Sequence, residues 1–302
     1  MTLLVHIALL LIVPPLVVGL IQKTKAWFAG RRGPPLLQVY FDVIKLAQKG
    51  AVYSRGTSWI FRAGPIVSLA AVFAAGLLVP IGMGRPPLGF HGDIFAFAAL
   101  LALGRFFTIA AALDTGSSFE GMGASRAAAF STFSEPALFL ALGSLCVSTQ
   151  TPSLEAALGP GAHPSMTWFE PVAIMAAIAL YAITLAECSR IPFDDPNTHL
   201  ELTMIHEVMV LDHGGPDFAL ITHASATKLV VLGMIIVQIV SPIPQDGGTG
   251  WLLLGLLALA LSIGVVESTM ARIRLPRVPQ FLVGAAVVAA MGLAAAVFQS
   301  EL

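Results

Sequence analysis

Apolar residues occur in this chain as long runs, and the shorter segments between them hold most of the charged residues. A helix rises about 1.5 Å per residue, so about 20 apolar residues cross roughly 30 Å of hydrocarbon. About eight runs come close to that length. They predict transmembrane helices over residues 2–21, 64–82, 93–113, 130–149, 170–187, 218–240, 250–267 and 280–299. Because strands of alternating polarity are not seen, the predicted fold is an all-α membrane protein with one domain over residues 1–302.

Positive charge is distributed unevenly between the two sets of loops. Loops one, three, five and seven carry Lys23, Lys25, Arg31, Arg32, Lys45, Lys49, Arg55, Arg62, Arg126, Arg190, Arg272, Arg274 and Arg277. The opposite loops carry only Arg85. Since Lys and Arg accumulate on the cytoplasmic side, the four basic loops are predicted to face the cytoplasm and both termini the outside.

The composition agrees with a membrane protein and excludes several function classes. Of 302 residues, 57% are hydrophobic and 11% charged, and the net charge is −1, which leaves no basic excess for nucleic acid. The two cysteines form no CxxC pair, so no metal or iron–sulfur site is predicted in this chain. No serine elbow, P-loop or dinucleotide glycine pattern occurs, so no catalytic residue is predicted either.

Loop one contains a short amphipathic segment. Its apolar residues Tyr40, Phe41, Ile44 and Leu46 recur at near-helical spacing beside Asp42, Lys45 and Lys49. This pattern predicts a helix lying in the membrane interface. Two interpretations remain open, namely attachment to anionic lipid and a surface for a soluble partner.

Loop five is acidic, unlike most cytoplasmic loops. It contains Asp194, Asp195, Glu201, Glu207, Asp212 and Asp217. Glu187 and Arg190 are three residues apart, a helix-surface spacing at which they can neutralise each other. His199 and His206 are seven residues apart, but histidines on an acidic loop are more often surface groups than metal ligands.

Ionisable residues inside the predicted spans include Arg105, Glu135, Lys228 and Glu267. A charge at mid-bilayer costs on the order of 2.5–3.5 kcal/mol, so such residues commonly form ion pairs or line a proton or ion path. One interpretation is that Arg105 and Glu135 form an ion pair with a purely structural role. For Lys228 and Glu135 the favoured interpretation is a position on a path for protons or ions.

Several of these segments together resemble the complex I subunit 1 family. The resemblance rests on RRGP after the first helix, DVIKL in loop one, GASRAAAFSTFSEPA, ECSRIPFDDPNTHLELTMIHE and RIRLPR before the last helix. Within that family, DTGSSFEGMGASR and DPNTHLELTMIHEVMVLDH are similar to the membrane subunit of formate hydrogenlyase and hydrogenase-4 type complexes. The segment Leu37-Gln38-Val39 replaces the glycines and Gln-Pro expected of quinone-type members, which disfavours a quinone chamber.

The resemblance implies a subunit of a prokaryotic cytoplasmic-membrane complex that anchors a nickel–iron hydrogenase large subunit and iron–sulfur subunits beside antiporter-like membrane subunits. The nickel–iron centre and the iron–sulfur clusters would belong to those partners. Residues expected to couple electron transfer to proton or cation movement are Glu135, Glu187, Arg190, Asp194, Glu201, Glu207, Lys228 and Arg105. Residues expected to contact partners are Arg31, Arg32, Asp42, Lys45, Asp195, His199, His206, Arg272 and Arg274. A quinone-binding subunit on the same fold and a stand-alone secondary transporter remain as alternatives, although no internal repeat typical of transporters is found.

Overall fold

The chain forms a bundle of helices in a computed structural model that describes residues 2–82, 84–159, 170–194, 204–240 and 248–300. The helices are α1 (Thr2–Phe28), α2 (Gln38–Ala47), α3 (Trp59–Leu78), α4 (Asp93–Asp114), α5 (Ser118–Thr149), α6 (Leu154–Leu158), α7 (Pro171–Glu187), α8 (Gly215–Val240), α9 (Gly248–Thr269) and α10 (Val278–Ser300). Two 3₁₀ turns, Glu207–Val210 and Leu275–Arg277, precede α8 and α10. Within the described ranges the fold is all-helical, as predicted.

Eight of these helices are apolar enough to cross a membrane, which confirms the predicted number. Seven of them reach the length of a full span. The eighth, α7, has 17 residues and lies at the lower end of the range for a span. The amphipathic helix predicted in loop one is α2, and the connection between α5 and α7 contains the short helix α6.

Helix α5 begins twelve residues earlier than the predicted span over 130–149. Its first turns read SFEGMGASRAAA, a segment too polar for an apolar run. A helix of 32 residues is about 48 Å long, so these turns project beyond a hydrocarbon layer of roughly 30 Å. Glu135, which is close to the start of the predicted span, therefore lies near the middle of α5.

Helix α8 is the centre of the bundle. It contacts α1, α3, α7 and α9, and 67% of its apolar window is buried, against 28–44% for the other long spans. Because lipid and protein interior are both apolar, a helix enclosed by other helices is recognised by burial and not by hydropathy. Its polar side chains Asp217, Thr227 and Gln238 are buried within the protein.

The connections between the helices lie at two opposite ends of the bundle. At one end, which we call the basic face, Ile273 N donates to Pro192 O at 2.8 Å, so the connections after α7 and α9 lie together. At the other end, Asp93 Oδ1 accepts a hydrogen bond of 2.7 Å from Leu154 N and joins α4 to α6. The basic loops predicted to share one side thus do so.

Candidate functional site

Four charged side chains from four helices meet inside the bundle and form what we call the central network. Arg105 Nη1 on α4 lies 2.6 Å from Glu135 Oε1 on α5, and its Nη2 lies 2.9 Å from the Glu187 carboxylate at the end of α7. Lys228 Nζ on α8 lies 2.5 Å from Glu187 Oε2. Ser134 Oγ donates to Glu187 Oε1 at 2.7 Å. Glu187 is therefore held by two cations and a hydroxyl group.

Burial makes these contacts energetically important. The side chains of Glu187, Arg105 and Lys228 are 9%, 12% and 16% exposed, whereas that of Glu135 is 40% exposed. A buried charge is tolerated when it is paired and hydrogen-bonded, and removing one partner leaves an uncompensated charge. The network consequently runs from an enclosed centre at Glu187 to a more accessible end at Glu135.

A second ionic cluster lies nearer the basic face. The buried carboxylate of Glu267, on α9, is 2.8 Å from Lys25 Nζ and 3.5 Å from Arg190 Nη1. Glu187 and Arg190 therefore do not neutralise each other as expected. Glu187 pairs with Arg105 and Lys228, and Arg190 pairs with Glu267. The helical spacing on which that expectation depended is lost, because α7 ends at Glu187 and Ser189 has a left-handed φ of 53°.

A third cluster is built around Asp194, whose side chain is 1% exposed. Arg272 Nη2 lies 3.0 Å from Asp194 Oδ1, and the ring of His206 lies 3.6 Å from Oδ2. Burial raises the pKa of the Asp194 carboxyl, but contacts with His206 and with Arg272 outweigh burial, so its pKa lies below the ordinary value. Asp194 is thus held in its charged form.

Asp194 also helps to hold the segment of loop five before α8, residues 204–213. Its Oδ2 accepts hydrogen bonds from Ile205 N at 3.1 Å and His206 N at 3.0 Å. Two residues at the start of α5 secure the same segment: Arg126 Nη1 donates to Met204 O at 2.7 Å, and Glu120 Oε1 accepts from Asp212 N at 3.0 Å. These hydrogen bonds fix the segment at both ends.

Close packing also holds the segment 204–213 against α5. A Cβ atom on Gly123 would clash with Val208 Cγ1, so only glycine allows α5 to approach the 3₁₀ turn this closely. Behind the turn lies a small apolar cluster formed by Ala112, Ala124, Ala127, Ile205, Met209 and Val210. At the far end, the ring of His213 stacks on Phe61 with centroids 3.9 Å apart.

Two adjoining cavities connect the clusters. The larger, of about 250 Å³, is lined by side chains that include Lys25, Val39, Arg190, Glu207 and Glu267. The smaller, of about 100 Å³, reaches Arg105 and Ser134. Glu187, His206 and Lys228 line both. Both cavities are large enough for water molecules, and charged side chains in their linings can hydrogen-bond to them.

The structure separates the residues predicted from sequence into three groups. Arg105, Glu135, Glu187 and Lys228 join the central network, while Arg190, Asp194, Glu207, His206 and Arg272 lie around the larger cavity or the Asp194 cluster. Arg31, Arg32, Asp42, Lys45 and Arg274 are exposed at the basic face. Asp195, His199 and Glu201 lie outside the described residues.

Sequence reasoning missed Ser134, Glu120 and Arg126 as site residues, and it did not recognise the Lys25–Glu267 pair. Glu267 carried a signal, because it ends an apolar run. Glu120 and Arg126 lie in the polar first turns of α5, where charged surface residues are common, so nothing in the sequence distinguished them from surface residues. Among the described residues, no three His, Cys, Asp or Glu side chains come together to hold a metal ion.

Eight apolar helices around a buried ionic network define a multi-pass membrane protein with paired charges in its interior. The chain belongs to the NADH dehydrogenase family, in its complex I subunit 1-like form, whose profile matches residues 1–298. This confirms the family resemblance recognised from the sequence.

Individual relatives agree with this assignment. The chain is 30% identical to formate hydrogenlyase subunit 4 of Escherichia coli, over 92% of both chains. It is 29% identical to hydrogenase-4 component C of the same organism, over 87% of this chain and 85% of the relative. It is 27% identical to a subunit of the NADH-quinone oxidoreductase of Rubrobacter xylanophilus, over 71% of this chain and 66% of the relative.

The fold has a close counterpart among solved structures. A chain of the membrane-bound sulfane sulfur reductase, an archaeal respiratory membrane complex, superposes with a TM-score of 0.81 at 22% identity and 97% coverage of both chains. These relatives are subunits of multi-subunit membrane complexes, so this chain is a complex I-like membrane subunit.

Proposed function

We propose that this chain is the membrane anchor of a complex I-like nickel–iron hydrogenase of the formate hydrogenlyase or hydrogenase-4 type. The observation that carries the proposal is the similarity to formate hydrogenlyase subunit 4 along nearly the whole of both chains. The nickel–iron centre and the iron–sulfur clusters are assigned to soluble partner subunits, with antiporter-like subunits alongside in the membrane.

The basic face is the proposed docking surface, turned towards the cytoplasm of a prokaryotic cell. The segment 204–213 supports this, because Glu120 and Arg126 of α5, together with Asp194, hold its backbone in place. A preorganised surface loses less conformational entropy on binding than a flexible loop does. Exposed charges of loop one and Arg274 border it.

The central network is the proposed element that couples electron transfer to proton or cation movement. Ion pairs between four helices can exchange partners when one helix shifts, and water in the adjoining cavities can bridge the gaps. Glu207 at the docking surface and Glu135 at the accessible end are the proposed terminal carboxylates of this path.

Isolation in mild detergent tests the anchor role. Affinity purification of the tagged chain from its native host should recover a hydrogenase-like large subunit and an iron–sulfur protein in equal amounts. Recovery of a lone chain that moves a solute across liposome membranes would reject the proposal in favour of a transporter.

Substitution of the terminal carboxylates tests the coupling role. Glu135→Gln and Glu207→Gln should each lower coupled hydrogen evolution at least about tenfold, a barrier increase of about 1.4 kcal/mol, while subunit recovery stays normal. Glu155→Gln is the matched control, since Glu155 lies at the opposite face in a surface pair with Arg85. Normal hydrogen evolution in both test variants would remove these residues from the path.

A quinone-binding subunit is the second candidate. The similarity to the NADH-quinone oxidoreductase relative favours it. Val39, which lines the larger cavity, belongs to the segment that disfavours a quinone chamber. Quinone reduction by the purified complex would favour this candidate over hydrogen evolution.

A further inference from the structure

An opening of about 710 Å³ lies on the lipid-facing surface of the bundle, apart from the charged clusters. Helices α7 and α9 each pack against α8 and leave a groove between them. Ile236 and Val237 of α8 form its floor, Ala177 and Ile178 form one wall, and Leu254 and Ala258 form the other. Ile178 and Leu254 are 56% and 61% exposed, so the groove opens towards lipid.

The two ends of the groove differ in chemistry. At about mid-depth, Tyr181 Oη and Ser262 Oγ lie 3.2 Å apart and join α7 to α9. At the end remote from the basic face, Trp251 lies in the first turn of α9. Tryptophan is enriched where hydrocarbon meets headgroups, so this end corresponds to the membrane surface.

The length of the groove matches one leaflet. Trp251 and Ser262 are separated by about eleven residues of α9, or about 16 Å along the helix, and half of a hydrocarbon layer of roughly 30 Å is about 15 Å. A transmembrane helix of a neighbouring subunit would cross both leaflets. The groove is bridged at mid-depth by Tyr181 and Ser262, so a chain confined to one leaflet fits it better.

The lining selects an uncharged ligand. Among the described residues that border the groove, none is charged, and the hydroxyl groups are those of the Tyr181–Ser262 bridge. The small side chain of Ala258 and the absent one of Gly255 widen the groove on the α9 side.

We propose that this groove is a phospholipid site. It binds one acyl chain of a lipid in the leaflet remote from the basic face, with the glycerol and headgroup beside Trp251 and the methyl end near Tyr181. The bound chain fills the space between α7 and α9 and completes the packing around α8. This site is independent of the proposed redox function.

Native mass spectrometry tests the proposal on the full-length chain, purified in mild detergent with the subunits that accompany it. The wild-type protein should retain one phospholipid through delipidation. Ala258→Phe, which fills the groove, should lower its occupancy at least about tenfold. Ala290→Phe is the matched control, because Ala290 is equally an exposed alanine, on the lipid face of α10, and it should retain the lipid.

A second measurement covers the case in which the Ala258→Phe protein does not fold. Wild-type protein in vesicles with a diazirine-bearing acyl phospholipid should become labelled, on irradiation, at residues of α7 and α9 that line the groove. Equal lipid retention in the Ala258→Phe and Ala290→Phe proteins would overturn the proposal. Labelling spread evenly over the lipid face, a retained mass of an isoprenoid quinone, or a partner helix seated in the groove would also overturn it.

Discussion

Glu187 is the carboxylate on which the central network converges, and it shows why a buried charge depends on its neighbours. Its two oxygens meet Arg105, Lys228 and the hydroxyl of Ser134. Each contact offsets part of the cost of removing the carboxylate from water. The charge of Glu187, at the end of α7, is therefore stabilised by side chains of three other helices, α4, α5 and α8.

A double-mutant cycle should measure this dependence. Lys228→Met should destabilise the protein by about 3 kcal/mol, because it leaves Glu187 partly uncompensated. Adding Glu187→Gln should restore part of that loss, with a coupling free energy of about 0.5–3 kcal/mol in denaturant or thermal unfolding. The surface pair Arg85 and Glu155, 3.2 Å apart, is the control and should be additive within about 0.5 kcal/mol. Additivity at Glu187 and Lys228 would contradict a shared network.

Asp194 should make stability depend on pH in the acid range. Its pKa is lowered in the folded protein, so the stabilisation is fully present above the unfolded pKa of about 3.9. It is lost as pH falls through the lower folded pKa. The melting temperature of wild-type protein should thus fall between about pH 5 and pH 2, and Asp194→Asn should be less stable at pH 7 with a flatter profile.

The control for that measurement is Asp42→Asn. Asp42 is exposed on α2 and accepts a hydrogen bond from Gln38 at 2.9 Å. Its replacement should leave the melting temperature and its pH profile unchanged. An identical acid transition in the Asp194→Asn protein would mean that Asp194 does not contribute to it.

At the scale of elements, the start of α5 and the segment 204–213 form one unit. The motif EGMGASR supplies Glu120 for the amide of Asp212, Gly123 for close approach and Arg126 for the carbonyl of Met204. The family motif thus has a structural purpose at the basic face. It holds the proposed docking surface against the start of α5.

Gly123→Ala should disturb that unit. The new methyl group would clash with Val208 Cγ1 and lie 3.0 Å from Met209 Cγ, and overpacking of this kind costs about 1–3 kcal/mol. We expect a lower melting temperature and reduced recovery of soluble partners on purification. Gly121→Ala is the control, since no atom lies within 4 Å of its new Cβ, and helix propensity favours alanine there. Equal partner recovery in both variants would show that docking does not depend on this packing.

At the scale of the whole molecule, the asymmetry of loop charge predicts the orientation in the membrane. Loops one, three, five and seven share the basic face, and Arg85 lies at the opposite face. Positive loops resist translocation, so the basic face is predicted to be cytoplasmic and both termini outside.

Cysteine accessibility should establish this orientation. In a Cys146→Ser, Cys188→Ser background, Arg55→Cys should react with a membrane-impermeant maleimide only in inside-out vesicles. Arg85→Cys should react only in right-side-out vesicles, and each variant serves as the other's control. The reverse pattern would invert the predicted topology.

The sequence by itself determined the number of spans, the asymmetry of the loops and the family, because each depends on local composition or contiguous motifs. It also identified Arg105, Glu135 and Lys228 as unusual, since a charge in an apolar run is visible without a structure, and it identified Glu187 through the family resemblance. The packing of α4, α5, α7 and α8 decided their pairing, which no linear spacing encodes. Tertiary structure likewise separated Arg190 from Glu187, extended α5 through polar turns and left the lipid groove between α7 and α9. These features arise where helices distant in sequence approach each other, and only their relative positions in space define them.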